Sequence, residues 1–399
     1  MSSPTAPTVA IAGGGIGGLA AAIALRKTGA HALVLERAGE FTDSTSGLVL
    51  APNGMKALTA ISPALAHDVR AAGILYGTGH TSPFLTSRGK NLASVSFEDE
   101  EARWGAPLMG ILRRDLHTVL HHHAQEAGAE IRRDAAVTGY RDHGGQGVDV
   151  LLADDHSLRA DLLVGADGLR SAVRAQMLGD GAPTYRGFTA IRGIAKAPAA
   201  YPHGFIAYGR GLILFASAIS TSHLYWVASL TAPARTWPGK ATHTAHEDLI
   251  ASMRRGSWHA DLVDLVAGSE AAQLVLTDIH DRAPATAYHH RRTVLLGDAA
   301  HPMVYTMGQG ANVTLEDATV LAHHLTHTSD PAQALAAYSA DRAPRATKIV
   351  KQSRMIGSIG QTANPVAAWV RDRMMRAMNR FGDPAKQNAD VFGWHPPTR

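Results

Sequence analysis

The chain contains no cysteine among its 399 residues. Disulfides, thiolate metal sites and cysteine nucleophiles are therefore excluded. Charge of either sign is also sparse: 38 basic and 34 acidic residues leave a formal charge of +4. This small and dispersed excess is too weak for a nucleic-acid-binding surface, so we expect small anionic partners at most.

Long apolar runs are missing as well. No run in the sequence is long enough to span a bilayer, and the first eight residues lack the basic-then-apolar order of a secretion signal. We therefore expect a cytoplasmic protein without membrane contact, as a monomer or homodimer. The hydrophobic fraction of 45% is typical of a globular chain, and the length allows one large domain with a smaller domain inserted.

A strand, a glycine-rich turn and a helix open the chain. The turn carries Gly13-x-Gly15-x-x-Gly18, and Glu36 ends the following strand. Glycines at this spacing permit a tight turn and a close approach of the backbone to a pyrophosphate, while the acid accepts hydrogen bonds from a ribose. The pattern predicts a dinucleotide site at Gly13, Gly15, Ile16, Gly18, Glu36 and Arg37.

Two further motifs follow predicted strands. Gly165-Ala166-Asp167-Gly168 comes after Leu162–Val164, where a simple turn and a cofactor contact are equally good interpretations. Gly297-Asp298 comes after Val294–Leu296, and Gly308-x-Gly310-Ala311-Asn312 opens a helix beyond it. A carboxylate at the strand end suits a ribityl hydroxyl, and the helix N-terminus suits the negative charge of a reduced flavin.

With these motifs in order, the chain resembles the class A flavoprotein monooxygenases, which include salicylate, 6-hydroxynicotinate and para-hydroxybenzoate hydroxylases. Further segments carry the resemblance: Gly47–Gly54, Arg113-Arg114-Asp115-Leu116 and Asp278–Pro284. It implies that Arg113 and Val137 contact FAD, and that Asp167 serves both the FAD pyrophosphate and NAD(P)H.

The resemblance also implies the chemistry. NADH or NADPH would reduce FAD, O2 would add at flavin C4a, and the hydroperoxide would hydroxylate or epoxidise an aromatic or polyketide-like molecule. A reductase or dehydrogenase of related fold, which inserts no oxygen, is the alternative. A flavin-binding module without activity fits the complete set of cofactor motifs poorly.

The order of predicted elements indicates an α/β fold: a Rossmann-type FAD-binding domain with an inserted, mostly antiparallel substrate sheet and C-terminal helices. Residues 71–107 look less regular. We expect three parts of the FAD-binding domain at 1–75, 108–180 and 279–328, substrate-domain segments at 76–107 and 181–278, and a helical region at 329–399.

The substrate pocket has several candidates in the inserted sheet. Arg192, Tyr208 and Phe215 are predicted pocket residues, and His223 or Tyr225 is the predicted general base. Tyr305 stands where the family usually has proline, three residues before Gly308. We expect Tyr305 to line the cavity beside the flavin ring and to tune substrate fit.

Histidines cluster on one predicted helix without forming an evident metal site. His117 and His121 are four residues apart, and His122 and His123 follow. No carboxylate or third ligand stands at a suitable spacing. We expect a solvated helix face and no metal.

Overall fold

The computed structural model describes residues 6–40, 45–381 and 384–398. Residues 1–5, part of the N-terminal stretch considered above, lie outside them. The strands of the described residues are β1 Thr8–Ala12, β2 His31–Leu35, β3 Gly47–Leu50, β4 Ile74–Tyr76, β5 Thr81–Thr86, β6 Asn91–Ser96, β7 Leu108–Leu112, β8 Glu130–Arg132, β9 Val137–Asp142, β10 Val148–Leu152, β11 Ser157–Ala160, β12 Leu162–Gly165, β13 Thr184–Lys196, β14 Gly204–Tyr208, β15 Leu212–Ala218, β16 His223–Thr231, β17 Val275–Asp281, β18 His289–His290 and β19 Thr293–Leu295.

Helices connect and cover these strands. They are α1 Ile16–Lys27, α2 Pro52–Ile61, α3 Pro63–Ala71, α4 Glu100–Trp104, α5 Arg113–Glu126, α6 Ala172–Leu178, α7 Thr242–Arg255, α8 Ala260–Ala267, α9 Gly310–His327, α10 Pro331–Gly360, α11 Pro365–Phe381 and α12 Pro384–Phe392.

A six-stranded sheet carries the glycine-rich turn. Its order is β18-β19-β12-β1-β2-β8, parallel except for the short β18–β19 pair. The apolar runs of β1 and β12 are almost wholly buried, as expected for parallel strands covered on both faces. The carboxyl ends of β1, β12 and β19 lie side by side, so the turns that follow them meet at one edge.

A seven-stranded sheet of order β17-β13-β16-β15-β14-β5-β6 forms the second layer, antiparallel except between β14 and β5. Side chains alternate between its faces. One face packs apolar residues such as Trp226 and Leu214 in a cluster that also contains Leu249 of α7 and Leu262 of α8. The other face carries Tyr225, Val227 and Phe188, which pack with Val304 from the loop before α9.

Two local expectations need correction. Residues 71–107, expected to be less regular, contain β4, β5, β6 and α4. Helices α7 and α8 within 181–278 were not predicted. Their apolar faces pack on the far side of the sheet, and this packing partner exists only once the whole sheet has formed. The smaller sheets are β11-β10-β9 and β3-β7-β4.

The predicted fold class is confirmed: a Rossmann-type layer, a mostly antiparallel second sheet and C-terminal helices are all present. The domain boundaries given above stay a prediction. In the described part of the chain, no helix is long and apolar enough to cross a membrane.

Candidate functional site

The turn after β1 brings backbone unusually close to backbone. Gly13 has a φ of +103°, and a Cβ built on Gly18 would lie 1.9 Å from the Gly13 carbonyl oxygen. A Cβ on Gly15, by contrast, would meet no atom within 4 Å. Helix α1 then begins at Ile16 without a side-chain cap. The open space at Gly15 and the uncapped N-terminus together fit a pyrophosphate.

Glu36 sits beside this turn. Its Oε2 accepts a hydrogen bond from the Gly14 N–H at 2.7 Å, and its Oε1 accepts one from the Ala38 N–H at 2.9 Å. Arg37, next in the chain, is exposed. Val137 is half-buried at the start of β9, two residues after Ala135, whose N–H donates to the Glu36 carbonyl. The four predicted residues Glu36, Arg37, Val137 and Gly13 therefore belong to one region.

Asp298 is exposed within a buried stretch. Its neighbours Leu296, Gly297 and Ala299 are buried, and its carboxylate has no hydrogen-bond partner among the described residues. A Cβ on Gly310 would lie 4.0 Å from the Asp298 Oδ1. The acid thus faces the uncapped start of α9, which is where a ribityl chain and a flavin ring would have to lie if FAD extended from Gly15.

The segment around the start of α9 contributes backbone groups more than side chains to the candidate site. Gly308 has a φ of +63° with open space around it, and Ala311 is half-buried. The Asn312 side chain is buried: its Oδ1 accepts from Ala51 N–H at 2.9 Å, and its Nδ2 donates to the carbonyl oxygens of Val49 and Gly308. A cofactor contact of Asn312 is therefore limited to its backbone.

Asp167 accepts hydrogen bonds from the first turn of helix α6 and also borders the glycine turn. Its Oδ2 accepts from Ala172 N–H at 2.7 Å, its Oδ1 is buried without a partner among the described residues, and its Cα lies 3.1 Å from a Cβ built on Gly13. Burial raises the pKa of Asp167. These contacts agree with both interpretations of the motif given above, a simple turn and a contact with the cofactor.

Arg113 begins α5 with an exposed side chain. Its N–H donates to the Ser46 carbonyl at 2.8 Å, which joins α5 to the start of β3. One turn further along α5, the His117 Nε2 hydrogen-bonds the Gly14 carbonyl at 2.8 Å. Burial lowers the pKa of His117, so the neutral ring donates from Nε2 and supports the pyrophosphate turn.

The expected solvated histidine face is wrong for His117 and for His123. The His123 side chain is only 10% exposed and pairs with Asp68 at 2.8 Å, whereas that of His122 is 65% exposed. His117 was missed as a site residue, although its i,i+4 relation to Arg113 places both on one face of α5. No group of three metal-ligating side chains occurs in the described part of the chain.

A buried ionic cluster holds the turn that presents Asp298. Asp317 Oδ2 accepts from Gly297 N–H at 3.0 Å and from His301 Nε2 at 2.5 Å, and its Oδ1 accepts from Arg342 Nε at 2.7 Å. Burial opposes ionisation of Asp317, but His301 and Arg342 outweigh it and hold its pKa below the usual range. Sequence reasoning missed this cluster because its members lie on separate elements.

Arg192 and Tyr225 of the second sheet come together with Tyr305, which lies in the segment before α9. The Arg192 Cζ lies 5.5 Å from the centroid of the Tyr305 ring, and the Tyr305 hydroxyl hydrogen-bonds Ser229. Phe215 packs in the same cluster. Burial raises the pKa of Tyr305 to about 12 although Arg192 opposes the shift. At neutral pH the Tyr305 phenol is therefore protonated.

Tyr225 links this cluster to the first layer. Its phenol interacts with Arg192 and Ser46, and a Cβ on Gly47 would lie 2.7 Å from the Tyr225 Cβ. The Arg113 N–H bonds the carbonyl of that same Ser46. The predicted flavin contact and the predicted pocket are thus joined through a single residue.

The geometry does not support either predicted general base. Burial raises the pKa of Tyr225, so the phenol stays protonated and serves as a donor. His223 is exposed at the start of β16, and its Nδ1 bonds Ser222 at 2.9 Å. Its place on the outer end of the strand leaves it in solvent.

Tyr208 also departs from its predicted pocket role. It lies on β14, two strands away from β16, and the Cζ of Arg371 in α11 lies 5.0 Å from its ring centroid. The edge of its ring meets Phe84. Packing under α11 therefore accounts for Tyr208 without a substrate.

A glycine-rich strand–turn–helix on a parallel sheet, an exposed acid facing a second helix start and a separate antiparallel layer define an FAD-binding α/β protein. The model of the family described as FAD binding domain matches residues 6–353. The chain belongs to this family, and the FAD prediction is confirmed.

Relatives and solved structures agree with this assignment. The chain is 39% identical to aurachin C monooxygenase/isomerase of Stigmatella aurantiaca, covering 94% of this chain and 95% of that protein. It is 30% identical to 3-hydroxybenzoate 6-hydroxylase 1 of Aquipseudomonas alcaligenes, covering 97% and 95%. The fold matches Klebsiella pneumoniae HpxO complexed with FAD and uric acid, with a TM-score of 0.86 at 24% identity over 97% and 96% of the two chains. The predicted class, a flavin-dependent monooxygenase, is confirmed.

Proposed function

We propose that the protein uses NADH or NADPH and O2 to insert one oxygen atom into an aromatic or polyketide-like small molecule that carries an acidic oxygen. The observation that carries this proposal is the Arg192–Tyr225–Tyr305 cluster on the sheet face that Ser46 joins to Arg113. It combines one cation with two protonated phenols. Such a set binds a phenolate, carboxylate or carbonyl oxygen.

Relatives support the aromatic substrate. The 3-amino-4-hydroxybenzoate 2-monooxygenase PtmB3 of Streptomyces platensis is 32% identical over 95% of this chain, and the hydroxybenzoate hydroxylase named above is similarly related. A hydroxylated aromatic ring presents the acidic oxygen that Arg192 suits. Because NAD(P)H is an intracellular reductant, we infer that the protein works in the cytoplasm.

The chain's own residues position the reactants. FAD, when bound, accepts hydride from the nicotinamide and activates O2. We infer that Gly15, Glu36 and Asp298 hold the dinucleotide, and that Arg113 lies beside the flavin ring.

Arg192 would hold the substrate oxygen in its anionic form, which enriches the ring in electrons. Since Tyr225 and Tyr305 keep their protons, the substrate proton would leave to solvent instead of to a tyrosine base. Burial of the cluster would exclude water during oxygen transfer.

The test is consumption of NADH and NADPH with a panel of phenols, hydroxybenzoates and quinones under 18O2, with H2O2 followed in parallel. We expect one substrate to accelerate NAD(P)H oxidation and to gain one 18O atom. Product without 18O would contradict the proposal and indicate a reductase or dehydrogenase instead.

Arg192→Met tests the anchoring role. Losing a charged hydrogen bond should lower kcat/KM for the acidic substrate about tenfold to a hundredfold while the FAD content stays the same. The matched control is Arg210→Met, because Arg210 is exposed on the turn between β14 and β15. Equal kcat/KM in both variants would show that Arg192 does not bind the substrate.

A further inference from the structure

Exposed apolar side chains gather at one place on the molecule. Among the described residues, nine large hydrophobic side chains are exposed, and eight of them lie between residues 355 and 378. They are Met355, Ile356 and Ile359 at the end of α10, and Val366, Trp369, Val370, Met374 and Met378 on α11. A concentration of this kind marks an interaction surface.

Helix α11 is seated with one side inward. Ala368 and Arg371 are buried, and the Arg371 Nη1 donates to the carbonyl oxygens of Gly209 and Gly360. Asn379 meets the Ser94 N–H of β6. The other side of α11 is therefore the outer surface of the molecule.

That outer surface divides lengthwise into two rows. At about 100° per residue, Val366, Val370, Met374 and Met378 follow one another at i+4 and form an apolar row. Arg373, Arg376 and Arg380 form a basic row beside it, and the Arg373 Cζ lies 4.8 Å from the Trp369 ring centroid. The acid of this helix, Asp372, bonds Arg371.

An apolar row beside a basic row, with a tryptophan among the arginines, is the pattern of a helix lying in a membrane interface. The arginines complement anionic headgroups. A twofold pairing of this face with a second copy would bring two basic rows into one contact without an acidic row to meet them.

We propose that the face formed by α11 and the end of α10 docks on the surface of an anionic lipid bilayer. The helices lie in the interface and do not cross it. The proposal differs from the expectation, drawn from the sequence, that the protein has no membrane contact.

The experiment is co-sedimentation of the yellow holoenzyme with vesicles of phosphatidylcholine alone and of phosphatidylcholine mixed with phosphatidylglycerol. We expect binding to the mixed vesicles, little binding to phosphatidylcholine alone, and release as salt rises. Each of Arg373→Gln and Arg376→Gln should lower the partition coefficient about fivefold. The control is Arg255→Gln, an exposed arginine at the end of α7, which should bind like the wild type.

Val370→Asp tests the apolar row, and because Val370 is exposed the variant should keep its FAD and its thermal midpoint. We expect it to lose vesicle binding. Equal binding of the wild type to both vesicle types, or no binding to either, overturns the proposal. A wild-type dimer that Val370→Asp converts to a monomer, without vesicle binding, assigns the face to a second copy instead. None of these readouts depends on turnover, so they are separate from the proposed oxygenation.

Discussion

Tyr305 stands where the resemblance to the class A flavoprotein monooxygenases leads us to expect proline. Proline at this place would fix the backbone and carry no donor. Here the half-buried ring lies between Phe188, Ser229 and Arg192. Its hydroxyl is therefore at the sheet face where we propose that substrate binds.

Tyr305→Phe should lower coupling, meaning product formed per NAD(P)H consumed, because the substrate loses a donor and the Ser229 hydroxyl loses its partner. The loss of one hydrogen bond should cost about 1 kcal/mol of stability. Tyr185→Phe is the matched control, since its hydroxyl donates to the Ala232 carbonyl at 2.6 Å outside this cluster. Equal coupling in the two variants would contradict a pocket role for the Tyr305 hydroxyl.

His117 should make the protein sensitive to mild acid. Burial holds its folded pKa below 6.5, so below that pH the unfolded chain binds a proton that the folded protein does not. Folding stability should therefore fall as pH drops through about 6.5 and below. His117→Gln keeps an N–H donor for Gly14 and should reduce the loss of thermal midpoint between about pH 7.5 and about pH 5.5.

His122→Gln is the control for that series, because His122 is exposed on the same helix. If both variants follow the wild-type curve, the buried imidazole does not contribute to the acid sensitivity.

At the scale of single elements, the glycines of the first turn have different roles, one in cofactor binding and one in packing. A Cβ on Gly15 meets nothing, whereas a Cβ on Gly18 collides with the Gly13 carbonyl. We expect Gly15→Ala to leave the thermal midpoint of the FAD-free protein unchanged while it weakens FAD binding, because its methyl group enters the pyrophosphate space.

Gly18→Ala should instead lower the midpoint of the FAD-free protein, since α1 must shift away from β1. The two variants are compared by thermal unfolding without FAD and by fluorescence titration with FAD. A parallel loss of stability in both would mean that Gly15 is also required for packing.

Local patterns predicted the elements whose signals are local. The run–turn–helix at Thr8–Lys27 and the aromatic and β-branched runs of β14 to β16, which glycine or serine separates, were readable because neighbours in sequence decide them. Contacts between residues that are far apart in the sequence could not be predicted in this way. His117 hydrogen-bonds Gly14, which is 103 residues away in the sequence, and Asn312 hydrogen-bonds Ala51, which is 261 residues away. No spacing rule relates such pairs, and the same reason explains why the Arg192–Tyr305 contact was unforeseen.

For the whole molecule, FAD should act as a ligand that stabilises the folded state. At a free concentration one hundred times its Kd, the gain is about 2.7 kcal/mol, or roughly 3 °C in thermal midpoint for a chain of this length. Asp298→Ala should weaken FAD binding by about 1–3 kcal/mol, which removes between about a third and about nine tenths of that shift.

Since Asp298 is exposed, the FAD-free variant should melt with the wild type. Asp264→Ala, an exposed acid on α8, is the control and should keep the full shift. A full FAD-dependent shift in Asp298→Ala would contradict the proposed ribityl contact.

The order of strands in the parallel sheet has a consequence for synthesis on the ribosome. β1 is synthesised long before its neighbour β12 at Leu162–Gly165, and β12 in turn pairs with β19 at Thr293–Leu295. Until β19 has been made, the nascent chain must carry an incomplete apolar sheet edge. The start of α9 at Gly310 comes later still, so capture of the flavin must wait until the chain has been made to this point.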